Sequence, residues 1–202
     1  MPLAQIKDIR RQELLEAAFE IIKRHGLQAA TLSSIAEEAG ASKGIVHHYF
    51  ENKQQLIEQA MRYAHTSRRN DLLKRFSVAQ TPSERLWAVI SVILDEKYFQ
   101  PGFCKAWISF FAESFSDDRL ARLHTAIQRR ESSNLIHALL PFLTQAEARR
   151  TAIGIRALVE GYRFRLGAVP PTSFDSSVPI IQVLGFLKRK VTGFDQSSAI
   201  HR

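Results

Sequence analysis

The 202-residue chain is expected to be all-α, with a small N-terminal three-helix domain followed by a larger helical domain. Three observations predict this. Apolar residues recur at spacings of three and four along almost the whole chain. No segment reads convincingly as a strand. The breaks between apolar stripes coincide with helix-stop and helix-start residues, such as His25-Gly26, Gln100-Pro101-Gly102 and Pro141. With 45% hydrophobic and 24% charged residues the composition is that of a globular protein.

The first helix is expected from about Ile6 to Arg24, with Leu14, Leu15, Ala18, Phe19 and Ile22 inward. Gly26 sits just past its last turn, where a helix favours glycine. Thr31 opens a short helix at 33–39 held by Ile35, Ala36 and Ala39, and Ser42 caps another at 43–50. A longer helix at 53–76 leads out of this region. In "SVAQTPSER" the chain breaks, and Pro82 suits the first turn of the next helix. Five further helices follow, at 82–98, 101–115, 117–140, 144–167 and 176–192. The domains are accordingly expected at 1–52, with 53–76 connecting, and at 82–192, with a loose tail at 193–202.

Two short helices joined by a tight turn within a three-helix core describe a helix-turn-helix. In "TLSSIAEEAGASKGIVHHYFENK", residues 31–53, Ile45, Val46 and Phe50 are expected to anchor the second helix. Ala39 and Gly40 are small, as a close helix crossing would require. The remaining face carries Ser42, Lys43, Gly44, His47, His48 and Tyr49, a polar-aromatic surface suited to the major groove of DNA. Thr31 and Lys53 are placed to grip phosphates. A generic α-hairpin with incidental histidines is the plainer alternative. A metal site at His47-His48 is not expected, because neighbours on a helix diverge by about 100° and no Cys or carboxylate completes a ligand set.

This stretch resembles the N-terminal domain of TetR-type bacterial transcriptional regulators. The matching residues are Thr31, Ile35-Ala36, "EAGAS" at 38–42, Gly44, "HHYF" at 47–50 and Asn52 to Leu56. The resemblance implies DNA contacts from Thr31, Lys43, Gly44, His47, His48, Tyr49 and Lys53. Many members carry Tyr where this chain has His47. Residues 82–168 resemble the C-terminal domain of the BetI-type repressors of glycine-betaine synthesis, through "KAWISFFAESFSDDRLARLHTAIQRRESSNLIHALLP" and "ALVEGYRFRLGA". That implies a ligand-binding and dimerisation domain, and repression relieved by choline or a related quaternary ammonium compound.

A trimethylammonium group donates no hydrogen bond, so its site needs aromatic faces and a nearby carboxylate. Phe103, Trp107, Phe110 and Phe111 fall on one helix face, with Trp87, Tyr98 and Tyr162 available to close a box. Glu113 and Glu160 are the expected counter-charges, inside apolar sequence contexts. Aromatics at helical spacing are also what an ordinary core contains. For dimerisation, Gly154, Ala157 and Gly161 form a small-residue stripe, and Ile180, Ile181, Leu184 and Leu187 an apolar face on the last helix. These dimer residues, notably Ile181 and Leu184, are expected in an intersubunit four-helix bundle, packing within one chain being the alternative.

The formal net charge is +8, which favours a polyanionic partner such as operator DNA. Residues 1–75 hold 12 Lys/Arg against 9 Asp/Glu, a net of +3, so most of the excess lies beyond the helix-turn-helix. One cysteine, Cys104, excludes an intrachain disulfide and fits a reducing compartment. With no bilayer-length apolar run and no signal-peptide core, a cytoplasmic protein is expected. No nucleophile–base pair, phosphate-cradling loop or H-E-x-x-H is present, so neither an enzyme nor a cofactor or metal is expected. The rival readings are a regulator sensing a lipophilic drug or metabolite, as in efflux control, and, further off, a helical adaptor or an enzyme.

Overall fold

The computed structural model describes residues 3–168 and 177–191, and among them there are helices and no strands. In chain order these are α1 (Leu3–His25), α2 (Leu32–Glu38), α3 (Lys43–Tyr49), α4 (Lys53–Val78), α5 (Pro82–Ile93), α6 (Pro101–Glu113), α7 (Asp118–Leu139), α8 (Gln145–Ala168) and α9 (Ser177–Lys190). Short 3-10 turns occupy Leu27–Ala29 and Glu96–Tyr98. The expected loop around Pro170-Pro171 and the expected tail at 193–202 lie outside the described residues.

Local chemistry explains where the helices begin. Thr31 and Ser34 form a reciprocal capping box at α2, and Thr81 and Glu84 form another at α5, with Pro82 in the first turn. Ser42 caps α3 by accepting from the Ile45 N–H at 3.3 Å. α5 ends at Ile93, earlier than the apolar pattern predicts. Asp95 caps the following 3-10 turn by accepting from the Lys97 N–H, and its other oxygen takes a hydrogen bond from Arg75 at 2.5 Å.

The chain divides into two compact units. The first comprises residues 1–67 and 102–124: α1 to α3, the first part of α4, α6 and the start of α7. Leu14, Ala18, Ile22, Ile35, Val46, Phe50, Leu56 and Phe110 are among its buried core. α6 lies against the end of α1, because Phe103 packs edge-on to Phe19 at 5.8 Å and a Cβ at Gly102 would stand 3.2 Å from the Lys23 carbonyl oxygen. Cys104 is fully buried, a packing residue.

The second unit, residues 68–101 and 125–202, holds the rest of α4 and α7 with α5, α8 and α9. Leu86, Ile90, Leu135, Leu139, Ile155 and Leu187 are fully buried there. Two arginines are also buried, and each has a partner. Arg68 is bonded to Glu131 at 2.6 Å with its guanidinium 5.0 Å from the Tyr98 ring centre, and Arg163 donates to the Ile93 carbonyl at 3.2 Å. Without partners, such charges would carry a penalty of several kcal/mol each. The Tyr98 hydroxyl donates to Asp71 at 2.5 Å, and Lys97 bonds the same oxygen. Burial pushes the Asp71 carboxyl up, but the Lys97 and Tyr98 hydrogen bonds outweigh it and hold it below its ordinary value. The Asp71 hydrogen bond raises Lys97 in turn.

Candidate DNA interface and effector-binding helix

The turn between α2 and α3 is set by backbone geometry. The Gly40 N–H bonds the Glu37 carbonyl at 3.1 Å, and the Ala41 N–H bonds the Ala36 carbonyl at 2.8 Å. These two bonds make a Schellman turn, with Gly40 at its left-handed position, φ +57°. The sequence reading attributed this glycine to a close helix crossing. A Cβ at Gly40 would meet nothing within 4 Å, so its backbone conformation is the reason instead.

Recognition-type surface on α3 is held from beneath by Val46 and Phe50, which are 0% and 1% exposed. Each such burial stabilises by about 1.5–3 kcal/mol. Ile45, the third expected anchor, is 38% exposed and belongs to the outer face. That face also presents Ser42, Lys43, Gly44, His47 and His48, all exposed, and half-buried Tyr49. The His48 and Tyr49 rings meet edge-on at 5.3 Å. Gly44 has a normal φ, and a Cβ there would touch only Ser42 Oγ at 3.8 Å. Nothing inside the chain demands a glycine at 44.

Thr31 and Lys53 are both partly committed. Thr31 Oγ1 accepts from the Ser34 N–H at 3.1 Å, and the Ser34 hydroxyl donates to the Ala29 carbonyl at 2.8 Å. Lys53 Nζ donates to the Gln28 carbonyl at 3.1 Å, and Gln28 Nε2 donates to Glu113 Oε2 at 3.3 Å. Lys53, Gln28 and Glu113 line a small cleft of about 120 Å³. The end of α6 thus touches, through one residue, the lysine at the start of α4. No pattern in the sequence pointed to Gln28.

The aromatic residues on α6 form a real cluster, although a differently composed one. Phe103, Trp107 and Phe110 are buried, while Phe111 is 43% exposed and stacks edge-on with Phe115 at 4.9 Å. His124 on α7 joins them, with ring centres 6.0, 5.8 and 5.0 Å from Trp107, Phe110 and Phe111. The sequence reading missed His124. Its signal was position, one residue after Leu123 in the apolar stripe Leu120, Leu123, Ile127. Glu113 is half-buried on the same helix. Glu160 and Tyr162 lie on α8, in the second unit. Glu160 is not in apolar surroundings: it is exposed and paired with Arg156 at 2.7 Å, one helical turn earlier. Tyr98, offered to close the box, is bonded to Asp71 in the second unit.

The expected dimer stripe also redistributes. α8 and α9 pack together, and a Cβ on Gly154 would stand 2.7 Å from the Phe186 ring, so Gly154 faces α9 of its own chain. Leu184 is 8% exposed and packs inward as well. Ala157, Gly161 and Ile181 are exposed. Ile153 and Phe164, at 69% and 61%, extend the α8 stripe through Ala157 and Gly161.

A capped, two-helix turn presenting a polar-aromatic face over a buried core defines a helix-turn-helix regulator. Comparison with known proteins agrees. Residues 14–60 match the family of bacterial regulatory proteins of the tetR type, and residues 82–178 match the C-terminal domain of BetI-type transcriptional repressors. The chain is 34% identical to the HTH-type transcriptional regulator BetI of Brucella canis over 195 residues, 96% of this chain and 97% of that one. Against the same-named regulator of Serratia proteamaculans the identity is 32%, over 96% and 98%. A transcriptional regulator from Saccharomonospora viridis, solved in complex with choline, shares the fold with a TM-score of 0.75 at 19% identity, covering 90% of this chain and 96% of that one. The chain belongs to the TetR family, as a BetI-type transcriptional repressor. Its relatives are transcriptional regulators, not enzymes, and among the described residues no helix is long and apolar enough to cross a membrane.

Proposed function

We propose that the protein is a homodimeric repressor whose hold on operator DNA is released by choline or a related quaternary ammonium compound, controlling glycine-betaine synthesis genes. The observation that carries it is near-full-length similarity to BetI regulators, joined to an α3 whose exposed face is polar and aromatic. Lys43, His47, His48 and Tyr49 read base edges and neighbouring phosphates, Thr31 and Lys53 fix the backbone, and Ser42 caps the reading helix. Gly44 is small because DNA approaches it, since within the chain a Cβ there would make only an ordinary contact with Ser42 Oγ. The segments 1–52, 53–76 and 82–192 then act as DNA-binding, connecting and sensing parts.

Two-fold pairing through the exposed stripe of α8, Ile153, Ala157, Gly161 and Phe164, with Ile181 of α9, buries apolar surface that is otherwise wet. The effector is read on α6. Trp107 and Phe111 supply aromatic faces, Phe103 and Phe110 back them, and Glu113 supplies the counter-charge. Phe111 is open to the cation already, whereas Trp107 must part from its neighbours. A ligand that binds the released state better than the DNA-bound state by about 1–3 kcal/mol weakens operator binding 5- to 150-fold.

One observation supports a second reading. Glu160 is paired to Arg156 and Glu113 already accepts from Gln28, so neither carboxylate is uncommitted, and a lipophilic effector needs none. A mobility-shift titration on the DNA upstream of the gene, with choline, betaine aldehyde and a hydrophobic cation in separate arms, decides. Release by choline sustains the first reading. Release by the hydrophobic cation alone sustains the second. Tight binding indifferent to all three removes both effectors and leaves the repressor.

A further inference from the structure

The first unit holds a groove of about 480 Å³ that none of the roles above uses. It runs between α1 and α4 and is bounded by the start of α7. Its walls carry three guanidinium groups from three helices: Arg11, Arg62 and Arg119. Leu15 gives it an apolar side, and Glu58 is the one carboxylate on its lining. The lining charge is therefore +2, three arginines against one carboxylate, with Glu16 bonded to the lining Tyr63 beside it. Its volume falls in the range of small-molecule sites.

The three arginines are differently engaged. Arg62 is paired with Glu58 at 2.8 Å. Arg11 donates to Gln59 and lies 5.9 Å from the ring centre of Phe50, the residue that ends α3. Arg119 is exposed, and its guanidinium makes no hydrogen bond or ion pair with a described residue. It also stands in the first turn of α7, where the helix dipole disfavours a cation. A positive charge kept at an unfavourable place, unpaired, beside two others, is what an anion site requires. Guanidinium forks match carboxylates with two parallel hydrogen bonds, and arginines on separate helices suit a ligand with more than one carboxylate.

We propose that this groove binds a small di- or tricarboxylate. The site is distinct from the α6 aromatic cluster, so it stands or falls independently of choline. Occupancy draws on Arg11, which otherwise lies over Phe50, and so reaches the end of the DNA-reading helix.

The test uses citrate as probe, with the full-length protein at ionic strength held constant by sodium chloride. At ten times its dissociation constant, citrate shifts the folding equilibrium about elevenfold, a Tm rise of about 3–6 °C. The R62Q/R119Q double variant is expected to keep its unliganded Tm and operator affinity while losing that rise. R119Q alone, at an exposed and unpaired position, serves if the double variant is unstable. A saturable rise in the wild type that the variant lacks supports the site. An equal rise in both proteins, or none in either, overturns it. Inorganic phosphate saturating at lower concentration than citrate overturns the carboxylate assignment. A flatter salt dependence of DNA binding in the variant, without citrate binding by the wild type, gives the groove to DNA and overturns the proposal.

Discussion

Replacing Lys53 by Gln tests whether this lysine serves DNA or only the fold. In the free protein Nζ is bonded to the Gln28 carbonyl at 3.1 Å, and a Gln amide can keep a donor near that carbonyl. Folding should therefore change little, by no more than the about 0.5–1.5 kcal/mol of an ordinary hydrogen bond. If the ammonium meets a phosphate in the complex, its loss removes one released counterion per protomer. Each contributes about 0.9 to the slope of log K against log salt, so a dimer's slope falls by about 1.8. Between about 50 and 200 mM salt the wild-type advantage should then shrink about twelvefold. Fluorescence anisotropy on a labelled duplex measures this, and because phosphate contacts ignore sequence, a mixed-sequence duplex suffices. Parallel lines for wild type and variant, with a lowered Tm, would refute the reasoning and leave Lys53 as a strut for the 3-10 turn.

Gly44→Ala should fold with unchanged or slightly raised Tm, since its Cβ meets only Ser42 Oγ at 3.8 Å, yet lose operator affinity at least tenfold by anisotropy. Ile181→Glu, at a position 62% exposed, should leave the helical circular dichroism intact and raise the monomer fraction in sedimentation. Asp71→Asn removes the ionised acceptor of the Tyr98 hydroxyl and should cost about 1.5–3 kcal/mol in urea unfolding. The pH dependence follows from the same group. Because folding lowers the Asp71 pKa from 3.8, its contribution is present above that value and is lost as pH falls through the folded value. Lys97 is raised from 10.5, so its contribution is present below that pH and is lost as pH climbs through the folded value. On acidification the wild type should lose more stability than the Asp71→Asn variant, in which other lowered carboxyls such as Glu16 remain.

Which parts of this molecule were legible in its sequence depends on how local their causes are. Helix starts were, because Thr31, Ser42 and Pro82 act within one turn of themselves. Gly26, at φ +85°, was readable as a helix end for the same reason. The stop of α5 was not, because the Arg75 partner that fixes Asp95 stands on another helix. Glu160 was misjudged from its chain neighbours Val159 and Gly161, which point elsewhere on a helix, while Arg156 shares its face. Ile45 was misjudged because three apolar residues were available for an anchor that two suffice to make. On α8 the small residues suggested one stripe. Only the Phe186 ring shows that Gly154 serves α9 while Ile153 takes its place outside.

Within the first unit, α6 and the start of α4 are joined by a short polar relay, and that bears on how strongly an effector can act. Glu113 accepts from Gln28, and the Gln28 carbonyl accepts from Lys53. If a cation on α6 recruits the Glu113 carboxylate, Gln28 loses that partner, and the turn at Leu27–Ala29 that positions Lys53 loses one restraint. A net hydrogen bond is worth about 0.5–1.5 kcal/mol, and two protomers double it to about 1–3 kcal/mol. That is the size of coupling an inducible repressor needs. No large rearrangement has to be invoked to reach it. If Lys53 grips a phosphate and Glu113 is the effector's counter-charge, the one glutamine between them is a sufficient link. Replacing Gln28 should then lower operator affinity towards the released level and make it insensitive to effector, while leaving effector binding intact.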